Sequence, residues 1–554
     1  MLTPRSETES AIVELWKEFR PNEAFVLGID ECAGRVFVPT PAKVRQIQAR
    51  ISRIRRKTRD PTERKLLASF RAALELREPA QLPQSLVETM FGYLIKEGTN
   101  ADHLASFARF GRRALDARRR QVRRVPPPGM RALVQLACSG LADMLKTVEG
   151  ELRETRAHEA IRALIAANAR YAKAFDLPGF PVDGSFQDVY VFFKRSGCDL
   201  GRSQSYARAL RDFWDYEQTP AQVEAAGLRM IRRELPHFHA LVQRFAEELS
   251  CGATAEAVTG ALKEKRGLRP DQILPFLKEV RDPARRVAHK HVVAINPDYA
   301  TDVVETPSYL ANSTPSGAAF GLDTLTDHPR EIFLATTDVR SAARPPPGEL
   351  LNLLIHEEYG HCVHGSNSAL SYAASPRVLD LIASTFQCVS EGIAFQRELE
   401  FLPIIQEIAA GKLSGPEEDA FAESLERWGG LGRVSREYEF LTALWRIVRF
   451  LRVIGDARIN SGKQDLVHFV EWAHRTTGLE RATVYYQLFP AHQVIGPGYA
   501  STYAIIGERI REIQQEALKR GKSLRDFNAY ASSIGWPPKS VFEAKLEAWA
   551  EGPK

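Results

Sequence analysis

The sequence predicts a mainly α-helical protein with one small β-sheet, and three observations support this prediction. Long segments repeat apolar residues at three- and four-residue spacing, whereas one region, residues 291–338, reads as short β-rich runs. No Gly- or Ser-rich linker divides the 554 residues into independent blocks. A composition of 44% hydrophobic and 26% charged residues is ordinary for a globular protein. We therefore expect a large folded body.

Helical periodicity is strongest at the two ends of the chain. The segments SETESAIVELWKEF, TPAKVRQIQARISRIRRKT and GERIREIQQEALKRG each place apolar residues on one helix face. We predict that the N-terminal half of the chain is mostly helical. We predict a helical lobe over residues 1–290 and a catalytic region over residues 291–554, joined as one continuous structural unit.

The β-rich region contains four short runs separated by Pro, Gly, Asn and Asp. These runs read HVVAINPD, TPSYLANS, GAAFGL and REIFLATTD. They predict a small sheet directly before the helix that carries the main motif.

Charge, cysteines and the N-terminal segment restrict the functional classes. The net charge of +6 is mild, and the arginines of residues 112–124 lack an aromatic platform, so we interpret them as a solvated helix face and expect no nucleic-acid partner. The N-terminal segment lacks a secretory pattern, and no stretch resembles a membrane span. Six scattered cysteines without CxxC pairs indicate reduced thiols. We expect a cytoplasmic protein without a membrane partner; the oligomeric state is not predicted.

Two helices carry the residues that suggest a metal site. The segment GELLNLLIHEEYGHCVHG follows a proline run, places Glu349 in its first turn and contains His356 and His361. The segment VLDLIASTFQCVSEGIAFQRELEFL begins after Pro376 and carries Glu391. A catalytic zinc needs three protein ligands and an open position, which two histidines and a distant carboxylate supply. We predict that His356, His361 and Glu391 bind Zn²⁺.

The histidine spacing requires an irregular helix. In the usual HExxH motif the histidines stand roughly 40° apart around the helix, whereas a five-residue separation places them roughly 140° apart. A single π-type bulge near Tyr359 and Gly360 would absorb the extra residue, and such bulges are frequent at functional sites.

Other donor pairs on the same helix stay open. Glu357 and His361 lie four residues apart, and His361 and His364 lie three apart, so either pair could chelate a metal. The set with Glu391 is favoured because it leaves Glu357 free as a general base. HEEYGH alone is also compatible with a solvated helix that binds no metal.

Two further residues are expected to support the ligands without binding the metal. Glu398, seven residues after Glu391, lies on the same helix face and could orient a ligand histidine through a hydrogen bond. His364 would either support a ligand in the same way or be a satisfied polar residue in the wall of the site.

With these residues in place, the chain resembles a broad zincin family known as domain of unknown function 885. The family hallmarks HExxPGH, EGWALY and PGQAxxYxxG correspond here to HEEYGH, EGIAFQRE and PGYASTYAIIG. The segments ELWKEFRPNEAFVLGID and RDFNAYASSIGWPPKSVFE resemble the opening and closing segments of that family. The shorter HExxGH motif is similar to dipeptidyl peptidase III. The resemblance implies a gluzincin-type metallopeptidase fold, two-lobed, with a deep channel.

Two departures from the family pattern concern substrate recognition. Tyr499 replaces the Gln of PGQA, and Ala491 and His492 stand near the place of an upstream Arg-Tyr pair. The late segment HQVIGPGYASTY therefore supplies Tyr503, Tyr499 and His492 as candidate donors to a developing oxyanion. The run GAAFGL could pair with an extended substrate backbone, or it could be a sheet strand without a ligand.

These motifs predict a zinc-dependent hydrolase that cleaves an amide bond in a peptide or peptide-like small substrate. The alternative is a metal-dependent hydrolase or lyase of a non-peptide metabolite. A non-catalytic helical binding protein with a degenerate site is the third reading, and the intact set of ligands and base argues against it.

Overall fold

The computed structural model describes residues 3–152, 155–307, 316–337, 344–370, 377–382 and 388–552. It confirms a mainly α-helical protein with one small sheet. The helices before the sheet are α1 (Glu7–Phe19), α2 (Pro21–Val26), α3 (Pro41–Lys57), α4 (Pro61–Leu76), α5 (Gln81–Glu97), α6 (Ala101–Arg119), α7 (Pro128–Glu151), α8 (Thr155–Lys173), α9 (Phe186–Ser196), α10 (Tyr206–Arg208), α11 (Pro220–Leu249), α12 (Ala255–Arg266) and α13 (Pro270–His291).

The helices after the sheet contain the predicted functional residues. They are α14 (Pro347–Leu354), α15 (Val363–Ala369), α16 (Val378–Ile382), α17 (Cys388–Ala409), α18 (Pro416–Ser424), α19 (Leu431–Asn460), α20 (Leu466–Thr477), α21 (Arg481–Leu488), α22 (Tyr499–Lys519), α23 (Leu524–Ser533) and α24 (Lys539–Glu551). Short π-helical segments cover Ala209–Phe213, Ile355–Cys362 and Phe489–Gln493, and 3-10 turns cover Asp30–Cys32 and Glu426–Trp428.

The predicted terminal helices are confirmed as α1, α3 and α22. Helix α1 begins after Ser6, whose hydroxyl accepts the Glu9 N–H, and α3 begins after Thr40, whose hydroxyl accepts the Lys43 N–H. The helix predicted after Pro376 is present at both ends, as α16 and α17, and residues 383–387 between them lie outside the described residues.

The sheet has three strands, β1 (Thr301–Glu305), β2 (Gly317–Leu322) and β3 (Arg330–Ala335), in the order β1-β3-β2. Strand β1 runs parallel to β3, and β2 runs antiparallel to it. Strands β2 and β3 confirm the predictions for GAAFGL and REIFLATTD.

Two details of the β-rich region differ from the prediction. The strand predicted for HVVAINPD is wrong, because α13 ends at His291 and residues 292–298 form no strand. Val292, Val293 and Ala294 are buried there in irregular backbone, and burial alone produces the same apolar run as a strand. The remaining strand of the sheet, β1, has the sequence TDVVE, which was not predicted as a strand. Most of the run TPSYLANS lies outside the described residues.

Two clusters of buried apolar side chains hold the helices together. The larger includes residues from Ile12 in α1 to Ala550 in α24, and the smaller surrounds α13, the sheet and α14. Leu350, Leu351 and Leu354 of α14 belong to the smaller cluster, which anchors the motif helix. Residues on both sides of position 290 contribute to each cluster; the boundary at 290 and a channel between two lobes stay predictions.

Two further properties bear on the sequence predictions. None of the helices in the described part of the chain combines the length and apolar character that a membrane span needs. The cysteines whose side chains are described, Cys32, Cys138, Cys198, Cys251 and Cys362, are free thiols, and all but Cys251 are buried.

Candidate metal centre

The motif helix is continuous but changes its winding at the predicted place. Helix α14 passes directly into the π-helical segment Ile355–Cys362 and then into α15, and the Val363 N–H donates to the Glu358 carbonyl five residues earlier. Residues five apart are therefore neighbours on successive turns. The rings of His356 and His361 lie 5.0 Å apart. The predicted π-type insertion is confirmed, and it extends over eight residues.

Glycines allow three helical segments to approach closely at this point. A Cβ atom on Gly360 would lie 2.4 Å from Ala394 Cβ, so only glycine lets the π-helical segment contact α17 there. Helix α17 meets α22 at a second close approach, where a Cβ on Gly392 would lie 2.6 Å from Ile506 Cγ2. These approaches bring Glu391 and the start of α22 to the two histidines.

The predicted ligands form one compact donor set. Glu391 Oε2 lies 3.6 Å from His356 Nε2 and 3.4 Å from His361 Nε2, and the three donor atoms fall within 4.8 Å of one another. Ligand atoms about 2.1 Å from a tetrahedral zinc are separated by about 3.4 Å. Within the described residues this is the one group of three His, Cys, Asp or Glu donors that could hold a metal.

The other nitrogen of each histidine already has a hydrogen-bond partner. His356 Nδ1 lies 2.7 Å from Glu398 Oε1, and His361 Nδ1 lies 2.7 Å from the Ser390 hydroxyl. Such bonds fix the ring orientation and leave Nε2 available to a metal. The hydrogen bond predicted for Glu398 is present, whereas Ser390 was not predicted.

The Glu391 carboxylate has one oxygen held by the protein and one without a hydrogen-bond partner. Tyr499 donates its hydroxyl to Oε1 at 2.7 Å, while the buried Oε2 has no hydrogen-bond partner among the described residues. Burial favours the neutral acid, but the adjacent His356 and His361 hold the pKa of Glu391 well below its usual value. A buried anionic oxygen between two Nε2 atoms fits a zinc ion.

Protonation of His356 depends on the same carboxylates. Burial lowers its pKa, but Glu391 and Glu398 together raise that pKa to about 9. A pKa shifted by buried neighbouring charges is typical of functional sites.

The two consecutive glutamates of the motif have different environments. Glu358 is fully buried and accepts hydrogen bonds from Arg281 at 2.9 Å and from the Tyr299 hydroxyl at 3.1 Å. Glu357 instead points toward the sheet, where its Oε2 accepts the Ala319 N–H of edge strand β2 at 2.8 Å. Glu358 is therefore a structural anchor, whereas the charge of Glu357 acts on His356 and contributes to its raised pKa.

His364 lies apart from the donor set. It is fully buried, its Nε2 lies 2.9 Å from the Gly535 carbonyl, and its ring packs 5.3 Å from that of Trp536. Burial lowers its pKa to about 3, so the ring is neutral. His364 therefore contacts no predicted ligand, and its Nδ1 is buried without a hydrogen-bond partner among the described residues; the supporting role predicted for it stays a prediction.

Three aromatic residues face the ligands, and we call His492, Tyr499 and Tyr503 the facing wall. Their ring centroids lie 5.6–5.9 Å apart, and the Tyr503 ring stacks on that of His356 at 6.3 Å. The Tyr499 hydroxyl donates a hydrogen bond to Glu391, and the Tyr503 hydroxyl lies 3.3 Å from the Tyr499 hydroxyl. Burial and Arg452 hold the pKa of His492 well below its usual value, so that ring is neutral.

A stripe of charged residues on α19 supports both sides of the site and was not predicted. Arg449 pairs with Glu398 at 2.6 Å, and Asp456 accepts the Gly498 N–H at 3.1 Å and the Ser501 hydroxyl at 2.8 Å. Asp456 thereby fixes the turn that begins α22. The signal was present in ALWRIVRFLRVIGDARIN, where charges recur every three or four residues in an apolar helix.

Comparisons with known proteins found structures of similar fold but no matching family. No family model matches the chain, and no curated protein matches it. One similar crystal structure is described as "the putative lipoprotein from Colwellia psychrerythraea", with a TM-score of 0.64 and 13% identity over 100% of both chains. Another is "a putative lipoprotein of unknown function from Shewanella oneidensis", with a TM-score of 0.63 and 14% identity over 97% of this chain and 98% of that one. At these identities the likeness concerns the fold alone.

Proposed function

We propose that this protein is a zinc-dependent hydrolase that cleaves an amide bond in a peptide or peptide-like small substrate. The observation that carries the proposal is the buried Glu391 Oε2, which accepts no hydrogen bond from the described residues and lies opposite the Nε2 atoms of His356 and His361. The Nδ1 atoms of both histidines already form hydrogen bonds, so the two Nε2 atoms and Glu391 Oε2 are the atoms left to bind a metal. Two imidazoles and a carboxylate are a typical catalytic zinc set with one position left open.

The surrounding residues have the chemistry that amide hydrolysis requires. A bound zinc ion would acidify the attacking water and polarise the substrate carbonyl. Glu357 accepts the proton of that water and passes it to the leaving amine nitrogen. The Tyr503 hydroxyl donates to the oxyanion that develops on the carbonyl oxygen, because the Tyr499 hydroxyl is occupied by Glu391.

The position of strand β2 favours a substrate with an extended peptide backbone. It lies at an edge of the sheet, and its Ala319 N–H already points toward Glu357 rather than toward β3. An edge strand offers main-chain groups to a peptide backbone. We also propose that the protein belongs to the zincin family named above, because of the motifs HEEYGH, EGIAFQRE and PGYASTYAIIG. We propose a cytoplasmic location because the described cysteines are free thiols.

The proposal is tested by digesting a library of random peptides with the zinc-loaded protein and analysing the products by mass spectrometry. The matched control is Glu357→Gln, which preserves the shape of the side chain but cannot accept a proton. We expect new termini with wild-type protein and almost none with the variant. Zinc-loaded wild-type protein that leaves every peptide intact would contradict peptide hydrolysis.

A further inference from the structure

One buried arginine beside the facing wall, Arg452, has no carboxylate within ion-pair distance among the described residues. The buried arginines of the described residues are Arg202, Arg397, Arg446, Arg449 and Arg452. The first four pair with Glu78, Glu400, Glu508 and Glu398 at 2.6–2.7 Å. In the described part of the chain, no carboxylate lies within 4.0 Å of Arg452. A charge without a direct ion pair in a protein interior is costly. Glu391 acts on Arg452 only beyond ion-pair distance, so there is room for a closer counterion.

The contacts of Arg452 leave part of its guanidinium available. Its Nε donates to the Gln487 carbonyl at 3.1 Å, and its Nη2 donates to the Gln487 side-chain oxygen. Its Nη1 has no hydrogen-bond partner among the described residues. Burial lowers the pKa of Arg452 to about 10, so the group is still charged at neutral pH.

The position of Arg452 connects it to the metal centre. Its Cζ lies 4.9 Å from the centroid of the Tyr503 ring, and the same ring stacks on His356 at 6.3 Å. A peptide advances at most about 3.3–3.6 Å per residue, so a carboxylate roughly one to three residues from the scissile bond could reach the guanidinium. With zinc bound, the two arginines Arg449 and Arg452 and the ion would exceed the charge of Glu357, Glu391 and Glu398, leaving the site positive.

We infer that Arg452 binds a carboxylate of the substrate, so that the preferred substrates are peptides or small amides with a free carboxylate close to the scissile bond. The inference rests on the proposed function and narrows its substrate class. A planar guanidinium pairs well with a carboxylate, which can be a C-terminal group or an acidic side chain. Because Arg452 would contact the substrate away from the reacting atoms, it acts as a specificity residue.

The test measures binding rather than turnover, in the Glu357→Gln background, with zinc and after chelation. The probes are pooled random N-acetylated tetrapeptides, either as free acids or as C-terminal amides, and retained peptides are quantified by mass spectrometry. We expect free acids to be retained about ten- to a hundredfold more strongly than amides, the range for a charge-assisted hydrogen bond. Amides containing Asp or Glu that are retained instead would place the carboxylate in a side chain.

Substitutions of Arg452 separate this role from a structural one. Adding Arg452→Gln should abolish the stronger retention of free-acid peptides. If Arg452 had a purely structural role, the substitution would weaken the retention of free acids and amides equally. Arg452→Lys keeps the charge but loses the fork, and it should retain a reduced preference even if the Gln variant folds poorly. The matched control is Arg458→Gln, on the same helix, because Arg458 also stacks on an aromatic ring but pairs with Glu224.

The outcomes for the two proposals are distinguishable. Equal retention of acids and amides, no retention of either, or a preference that survives Arg452→Gln would overturn the inference. If wild-type protein cleaves amidated peptides as readily as free acids, hydrolysis stands and the inference fails. If the protein cleaves nothing but retains acids through Arg452, the inference about Arg452 stands and the proposed hydrolysis fails.

Discussion

The two sides of the candidate site are built differently. On the metal side, each predicted ligand is held by a second residue: Glu398 for His356, Ser390 for His361 and, from the facing wall, Tyr499 for Glu391. On the facing side, His492 Nδ1 has no hydrogen-bond partner within the described residues, and the hydrogen bonds of Arg452 use only its Nε and Nη2. The protein therefore fixes each predicted ligand through one side-chain contact, whereas the facing side keeps polar nitrogens that the proposed substrate would contact.

The largest expected effect is on zinc binding, when one histidine on each side is replaced by alanine. His361→Ala should reduce zinc affinity by more than the 10- to 100-fold typical of supporting residues, because it removes a ligand. His492→Ala should keep about one zinc per chain, because His492 belongs to the facing wall. Inductively coupled plasma mass spectrometry of the dialysed proteins measures the difference; loss of zinc from His492→Ala alone would reverse the assignment of the two sides.

The next largest effect should be the loss of turnover when the proposed general base, Glu357, is replaced. Glu357→Gln should lower kcat by about 10²- to 10⁴-fold while zinc content stays unchanged, because an amide cannot accept a proton. Glu358→Gln is the neighbouring control. It should lower the melting temperature by disturbing the ion pair with Arg281 and affect kcat much less. Turnover that falls more in Glu358→Gln than in Glu357→Gln would exchange their roles.

On the facing wall, Tyr503→Phe should lower kcat by about 10- to 1,000-fold without loss of zinc, the range for one transition-state donor. Tyr499→Phe should mainly weaken zinc binding, because its hydroxyl holds Glu391. Steady-state kinetics combined with zinc titration separate these effects. Unchanged kcat in Tyr503→Phe would return Tyr503 to a packing role and make His492 the next donor to test.

The smallest effect concerns the support of one ligand. Glu398→Gln should weaken zinc affinity by about 10- to 100-fold, because it alters the partner of His356 Nδ1. Glu400→Gln is a matched control, since Glu400 is also buried on α17 and pairs with Arg397 but does not contact a ligand. A competitive zinc chelator measures both affinities. Equal weakening in the two variants would indicate a general loss of packing.

The sequence predicted the helices, two strands and the irregular winding of the motif helix, because each has a local signal. Glu391 and Glu398 could be placed on one helix face by their seven-residue spacing. Strand β1 was missed because the buried run at Val292 and Val293 gave a stronger apolar signal nearby.

The supporting contacts could not be predicted, because they depend on which helices meet. Ser390 reaches His361 only since Gly360 allows the π-helical segment to contact α17. Asp456 lies more than forty residues from the Gly498 N–H it binds, and nothing local joins them. The charged stripe on α19 indicated buried polar contacts, but not their partners.

The most direct test of the metal centre is a crystal of the zinc-loaded protein measured at the zinc absorption edge. We expect one strong anomalous peak about 2.1 Å from His356 Nε2, His361 Nε2 and a Glu391 oxygen, with Glu357 not coordinated to the metal. A peak coordinated by Glu357 and His361 without Glu391, or no peak at these residues in zinc-saturated crystals, would contradict it.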